Sequence, residues 1–275
     1  MATTETRRIF LDGVISEVRR NGEWLEATDG RRVACDKALH LPPVQPTKII
    51  CIHLNFMSRV HELKATSPAT PSYFHKPVSC LNSHRGAVVR PKDCKYLNYE
   101  GEVGIVIGKT ARGIALKDAA DYIAGYTIAN DYGLHDFRDT DRGAMLRVKG
   151  ADTLGAVGPG LVTGWDFHGK TLRTLVNGKV VQEGSMNDLI WGMDYLVADI
   201  ARLITLCPGD IILSGTPANS RPVKPGDVVA VEVEGLGRLE NTIEEGLHAV
   251  SRECGAPPTD SEKVRGVAIG EGLIE

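Results

Sequence analysis

Two short strand patterns, RRIFLDGVISEVR and EWLEA, open the chain, punctuated by Asp12-Gly13, Asn21-Gly22 and Asp29-Gly30. Asp-Gly and Asn-Gly pairs favour the positive-φ positions of tight turns, so residues 1–45 predict a small N-terminal β unit. The next segment, Leu41-Pro42-Pro43-Val44-Gln45-Pro46, reads as a linker, because proline can continue neither a helix nor a central strand. KIICIHL (48–54) is a continuous apolar run of buried-strand length, and VHELKATSPATP follows as a short helical or irregular piece.

From 71 to 245 strand signals dominate: EVGIVIG (102–108), YIAGYTIAN (122–130), GAVGPGLVT (155–163), TLRTLVNGKVV (171–181), DIILSG (210–215), DVVAVEVEG (227–235) and GRLENTI (237–243). Within LVNGKVV, Asn177-Gly178 marks a two-residue hairpin turn. One segment, 194–206, has helical spacing, with Leu196, Val197, Ile200, Leu203 and Ile204 on an apolar face and Pro208-Gly209 as the stop. The polar tail after 246 reads as loosely packed. The expected organisation is a β unit at 1–45, a catalytic domain at 46–246 and a tail at 247–275. The fold class is mainly β with a few helices, not an alternating α/β sheet.

Composition narrows the function. Over 275 residues, 42% apolar and 24% charged content excludes a disordered, collagen-like or fibrous chain. A mean hydropathy of -0.12, with no apolar run near the roughly 18–20 residues of a membrane helix, argues against a spanning protein. MATTETRRIF lacks the apolar stretch of a signal peptide, so a cytoplasmic protein is expected. With 32 Lys and Arg against 35 Asp and Glu there is no basic footprint for nucleic acid. The six cysteines form no C-x-x-C pair and read as free thiols.

The candidate chemistry starts at Tyr99-Glu100-Gly101-Glu102. Glu100 and Glu102, two residues apart at a strand start, project to one face. If that face is buried, their charges repel unless a cation or proton intervenes, and a hard divalent ion is the natural partner. If it is an edge, they simply meet solvent. Asp131, ending the apolar strand YIAGYTIAN, is placed to complete a metal site or to start a turn. Lys149 offers an ammonium to an enolate or carboxylate, or is a solvated surface charge. Ser214-Gly215-Thr216-Pro217 ends a strand and offers hydroxyls and amides to a carboxylate, or makes an ordinary turn.

The ordered set YEGEVGIVIGK, AGYTIANDYGLHDFR, KGADTLGAVGP, LVNGKVVQEG, LCPGDIILSGTP and VKPGDVVAVEVEGLGRLEN resembles the fumarylacetoacetate hydrolase family from about Lys48 to Ile243. NDYGLHDFR is similar to stretches in the bacterial isomerase/decarboxylase branch of homoprotocatechuate (4-hydroxyphenylacetate) breakdown. The resemblance implies a mixed, rolled β-sheet fold, a homodimer, and 2-oxo acid substrates that chelate a divalent ion. It also implies Glu100, Glu102 and Asp131 as ligands of Mg2+ or Mn2+, Lys149 facing the substrate oxygens, and Thr216 contacting the substrate carboxylate.

The sequence departs from the family pattern in the lid. Members resemble G-L-N-Y-x-x-H-x-x-E there, with the His and Glu activating a water. Here the segment is His53-Leu54-Asn55-Phe56-Met57-Ser58-Arg59-Val60-His61-Glu62. Glu62 remains as a catalytic candidate, but Arg59 stands in the histidine position and cannot act as a base. His61 takes its place only if the lid shifts by two residues. His135 and Arg138 also replace usual residues after Asp131, so Arg59, His135 and Arg138 suggest a pocket for an extra carboxylate, with a structural imidazole as the other role for His135. Hydrolysis of a carbon–carbon bond needs an activated water, whereas decarboxylation and tautomerisation do not. The expected function is therefore metal-dependent isomerisation or decarboxylation of an unsaturated 2-oxo (2-hydroxymuconate-type) diacid. A hydrolase of acylpyruvates is the alternative, and a catalytically inactive metal-binding member is a second.

Overall fold

The computed structural model describes residues 3–270. The strands Thr4–Leu11, Val14–Asn21, Trp24–Ala27 and Arg32–Ala34 form an antiparallel meander. It buries Ile9, Leu11, Val18, Leu25 and Ala38 in a small core of its own. Hydrogen bonding does not stop at this unit, because Thr4–Leu11 also pairs with Gly155–Thr163, with Glu5 opposite Val162. The meander is thus one end of a large mixed sheet. The sheet continues through Ile123–Asp131, Gly101–Ile107, Ile211–Leu213, Ile49–Ile52 and Tyr73–Lys76. Along this path only Ile211–Leu213 and Ile49–Ile52 run parallel.

A second sheet has the order Lys179–Ser185, Thr171–Val176, Val228–Val233, Gly237–Glu245 and Val88–Arg90. Its hairpin turns at Asn177 and Gly178, with φ of 51° and 80°, the two positive values that the Asn-Gly pair accommodates. The sheets share one core, to which the first contributes Val103, Ile105 and Ile128 and the second Leu172, Val229, Val231 and Leu239. The molecule is mainly β with mixed sheets, as its strand patterns predict.

The two faces of Gly101–Ile107 have different tasks. Gly101, Val103 and Ile105 share one face and Glu102 the other, by strand alternation. At Gly101 the second sheet comes so close that a Cβ would lie 2.2 Å from Thr174 Oγ1. That approach leaves the glutamate face free for the site.

Two expectations are corrected. The predicted helix spans Met193–Ala201, burying Leu196, Val197 and Ile200, but stops short of Leu203 and Ile204. The N–H groups of both converge on Ile200 O in a tight terminal turn, leaving Leu203 82% exposed. The tail is not uniformly loose. A helix at Glu262–Ile269, capped by Ser261 Oγ accepting from the Val264 N–H, buries Val264, Val267 and Ala268. Their i, i+3, i+4 spacing gives an otherwise polar segment one apolar stripe. No helix among the described residues is long and apolar enough to cross a membrane.

Gly101→Ala forces a methyl group between the sheets. Overpacking of this kind costs about 1–3 kcal/mol, so the melting temperature is expected to fall by about 3–10 °C by calorimetry.

Candidate active site

Strand pairing builds the site. Gly101 lies opposite Asn130, and the Asp131 N–H donates to Glu100 O at 2.8 Å, so the end of one strand meets the start of the other. Asn130 Oδ1 accepts from the Glu100 N–H at 2.8 Å, making it a brace rather than part of the carboxylate cluster. Carboxylate oxygens of Glu100, Glu102 and Asp131 lie within 4.8 Å of one another, and all three residues are buried. This settles the geometry that the sequence left open: the glutamates do not face solvent.

Two buried lysines answer this charge unequally. Lys149, at the end of the short helix Leu146–Lys149, donates to Glu100 Oε2 at 2.6 Å and to the Asp131 main-chain oxygen at 2.7 Å, and its Nζ lies 2.9 Å from Asp131 Oδ2. Burial alone would lower its pKa, but Asp131 and Glu100 outweigh burial and hold it above the ordinary lysine value, as ammonium. Lys76, from the edge strand Tyr73–Lys76, reaches Asp131 Oδ1 at 2.5 Å and the carbonyls of Tyr132 and Leu154. Sequence reasoning passed over Lys76, since a lone lysine before a proline carries no signal of its own.

Glu100 and Glu102 diverge. Burial pushes Glu100 up, but Lys149, His135 and Arg59 bring it well below the usual carboxylate range. Glu102 accepts one hydrogen bond, from the Gly215 N–H at 2.7 Å. Burial, then repulsion from Asp131 and Glu100, pushes its carboxyl well above the usual range. An all-oxygen donor set with one carboxylate short of a cation fits a hard divalent ion such as Mg2+ or Mn2+.

The cluster opens into a cavity of about 180 Å³ lined also by His53, Arg59, Phe74, His135, Arg138, Met145, Lys149, Thr216 and Val267. The tail helix thus reaches the site through Val267. Thr216 Oγ1 accepts from Gln182 Nε2 at 3.2 Å, leaving its own O–H unclaimed by that bond. Gln182, also unflagged in the sequence, ties the Thr216 loop to the Gly101 N–H. Among the described residues the Arg138 side chain makes one hydrogen bond, to Met145 Sδ at 3.5 Å. His135 is enclosed, with Nε2 3.8 Å from Glu100 Oε1 and, among the described residues, no hydrogen-bond partner for either ring nitrogen. Burial takes its pKa down to about 4 against the upward pull of Glu100.

Arg59 and Glu62, on the short helix Met57–Glu62, pair with each other at 2.6 Å. Glu62 further accepts from the Asn219 N–H and from Arg221 Nη1 at 2.7 Å. Burial raises its carboxyl, but Arg59 and the hydrogen bonds outweigh that and hold it below the ordinary glutamate value. Glu62 is therefore fastened as an anion behind Arg59, and His61 is exposed. The six cysteines are all free thiols.

The profile of the fumarylacetoacetate (FAA) hydrolase C-terminal domain matches residues 48–244, and the chain belongs to that family. It is 40% identical over 198 residues to a 4-hydroxyphenylacetate degradation bifunctional isomerase/decarboxylase of Salmonella dublin, covering 71% of this chain and 46% of that protein. The chain spans about half the length of such bifunctional relatives. The structure of 5-carboxymethyl-2-hydroxymuconate delta-isomerase from Mycobacterium smegmatis superposes with a TM-score of 0.81 at 31% identity, over 88% of this chain and 99% of that one. The 2-hydroxyhepta-2,4-diene-1,7-dioate isomerase of Mycobacterium marinum gives the same score and identity, over 89% and 99%.

Metal binding must displace a proton held by Glu102 wherever the pH lies below its raised pKa, so affinity rises with pH. Calorimetric titration with Mn2+ is expected to show binding tightening by up to about tenfold per pH unit in that range, with proton release. Glu102→Gln is expected to abolish binding, and a pH-independent affinity in the wild type would contradict the arrangement.

Proposed function

We propose that the protein isomerises or decarboxylates an unsaturated 2-oxo diacid of the 2-hydroxymuconate type, with a divalent ion held by Glu100, Glu102 and Asp131. The observation that carries this reading is a cavity in which three buried carboxylates face two arginines. The relatives named as isomerases and decarboxylases support it. When bound, the ion supplies Lewis-acid polarisation of the 2-oxo group.

The remaining work falls to the chain. Lys149 stays protonated at the carboxylate cluster, where its positive charge favours the oxygen that gains negative charge as an enolate develops. Thr216 presents a hydroxyl from the opposite loop, suited to the carboxylate beside the 2-oxo group. Arg138, free of any carboxylate partner among the described residues, suits the distal carboxylate of a diacid. Arg59 adds positive charge to the same wall while fastened to Glu62. With Glu62 committed to Arg59, Arg221 and Asn219, the lid offers no free carboxylate to activate a water, which favours isomerisation or decarboxylation over hydrolysis.

The test is to incubate Mg2+- or Mn2+-loaded protein with 5-carboxymethyl-2-hydroxymuconate-type diacids and, separately, with acylpyruvates. A spectral shift or carbon dioxide release from the diacids, without pyruvate from either, is expected. Steady pyruvate release from acylpyruvates with the diacids untouched would instead establish the hydrolase reading. Arg138→Met is expected to raise KM for the diacid about 30-fold or more, the loss of a charge-assisted pair of about 2–3 kcal/mol. A monocarboxylate analogue should be affected far less.

A further inference from the structure

Isomerisation needs a group that accepts a proton and gives it back, and most side chains around the cavity cannot. Arg59 and Arg138 remain protonated, and Lys149 is held as ammonium by its two carboxylates. Glu62 is fastened as an anion away from the cavity lining, and His135 is shut in beside Glu100. His53 is different. It follows the buried strand Ile49–Ile52, where its N–H donates to Ser72 O at 2.9 Å. Two residues on, Asn55 is clamped to the main chain of Trp191 and Ser214. The backbone at His53 is thus fixed, while its imidazole lines the cavity with the carboxylates and Arg138. The ring packs edge-on to Phe74, centroids 6.0 Å apart, which takes water from part of its surface while the residue keeps access to solvent.

We propose that His53 is the catalytic residue that carries the proton in the isomerisation, an assignment that rests on the function inferred above. A neutral ring nitrogen takes the proton of the 2-hydroxyl from a 2-hydroxy-2,4-dienoic diacid. The C2–O bond becomes a carbonyl, the C2=C3 pair moves to C3=C4, and the C4=C5 pair forms a new C–H bond at C5 with the proton that His53 returns. One O–H bond breaks, one C–H bond forms, nothing is oxidised, and the imidazole ends neutral. The surroundings suit a neutral ring at pH 7. Loss of water around it lowers its pKa first, Arg138 and Lys149 lower it further, and Glu100 and Asp131 pull the other way without reversing the direction.

The experiment uses the Mn2+-loaded full chain, with His53→Ala and His53→Gln as variants. Isomerisation is followed by dienol absorbance, and proton delivery by deuterium incorporation at C5 of the product in D2O by NMR. Both variants are expected to lose about 100-fold or more in kcat and in the rate of C5 deuterium incorporation, with KM and Mn2+ affinity within about threefold of wild type. Added imidazole should restore activity to His53→Ala but not to His53→Gln, a result that a structural role would not produce. Activity of His53→Gln within threefold of wild type overturns the assignment, as does a loss that imidazole leaves unrepaired in His53→Ala. Wild-type protein that neither isomerises the dienol nor incorporates deuterium at C5 overturns the functional reading together with it, and that outcome is seen before any variant is made.

Discussion

Like-charge crowding in a dry interior is the constraint around which the site is organised. Glu100, Glu102 and Asp131 are buried within 4.8 Å of one another, and isolated buried carboxylates are costly unless paired. Lys76 and Lys149 both serve Asp131, and Lys149 also serves Glu100. Two lysines against three carboxyl groups leave one without an ion-pair partner, and it is Glu102, whose hydrogen bond among the described residues is a single main-chain N–H. The site therefore asks for a cation at the carboxylate that the lysines do not reach.

Meeting that constraint takes elements from across the chain. The strand Gly101–Ile107 is flanked by Ile123–Asp131 on one side and Ile211–Leu213 on the other, so Asp131 and the Gly215 N–H both arrive through sheet pairing. Lys76 comes from the sheet edge, Lys149 from a short helix, and Val267 from the tail. The second sheet presses on the reverse of the glutamates at Gly101, and its Gln182 bonds both the Gly101 N–H and the Thr216 loop. Packing and chemistry meet at one tripeptide, Glu100-Gly101-Glu102, because strand alternation sends its side chains to opposite faces.

The helix Met57–Glu62 shows how one side chain sets the role of another. Arg59 makes Glu62 the anchor of an ion pair, and Arg221 and the Asn219 N–H complete the fastening. Positive charge from Arg59 and Arg138 then lines the cavity wall. In the function proposed above, that charge favours binding of a second carboxylate over activation of water.

Much was legible in the chain itself. Alternation and Asn-Gly or Asp-Gly turns marked the strands, because those signals are local and depend on backbone sterics alone. The order of Glu100, Glu102, Asp131, Lys149 and Thr216 marked the family, because each sits in a short local motif that can be read without knowing what it packs against. The early end of the helix at Ala201 and the helix within the tail escaped, since terminal turns and a single apolar stripe are decided by what they pack against. Lys76, Gln182 and His53 escaped for the same kind of reason: each is an ordinary residue in its own segment. Only the tertiary structure decided that the glutamates are buried, that Lys76 meets Asp131 across 55 positions, and that Glu62 is tied to Arg221. Charge compensation acts through space, and spacing along the chain does not encode which distant cation arrives.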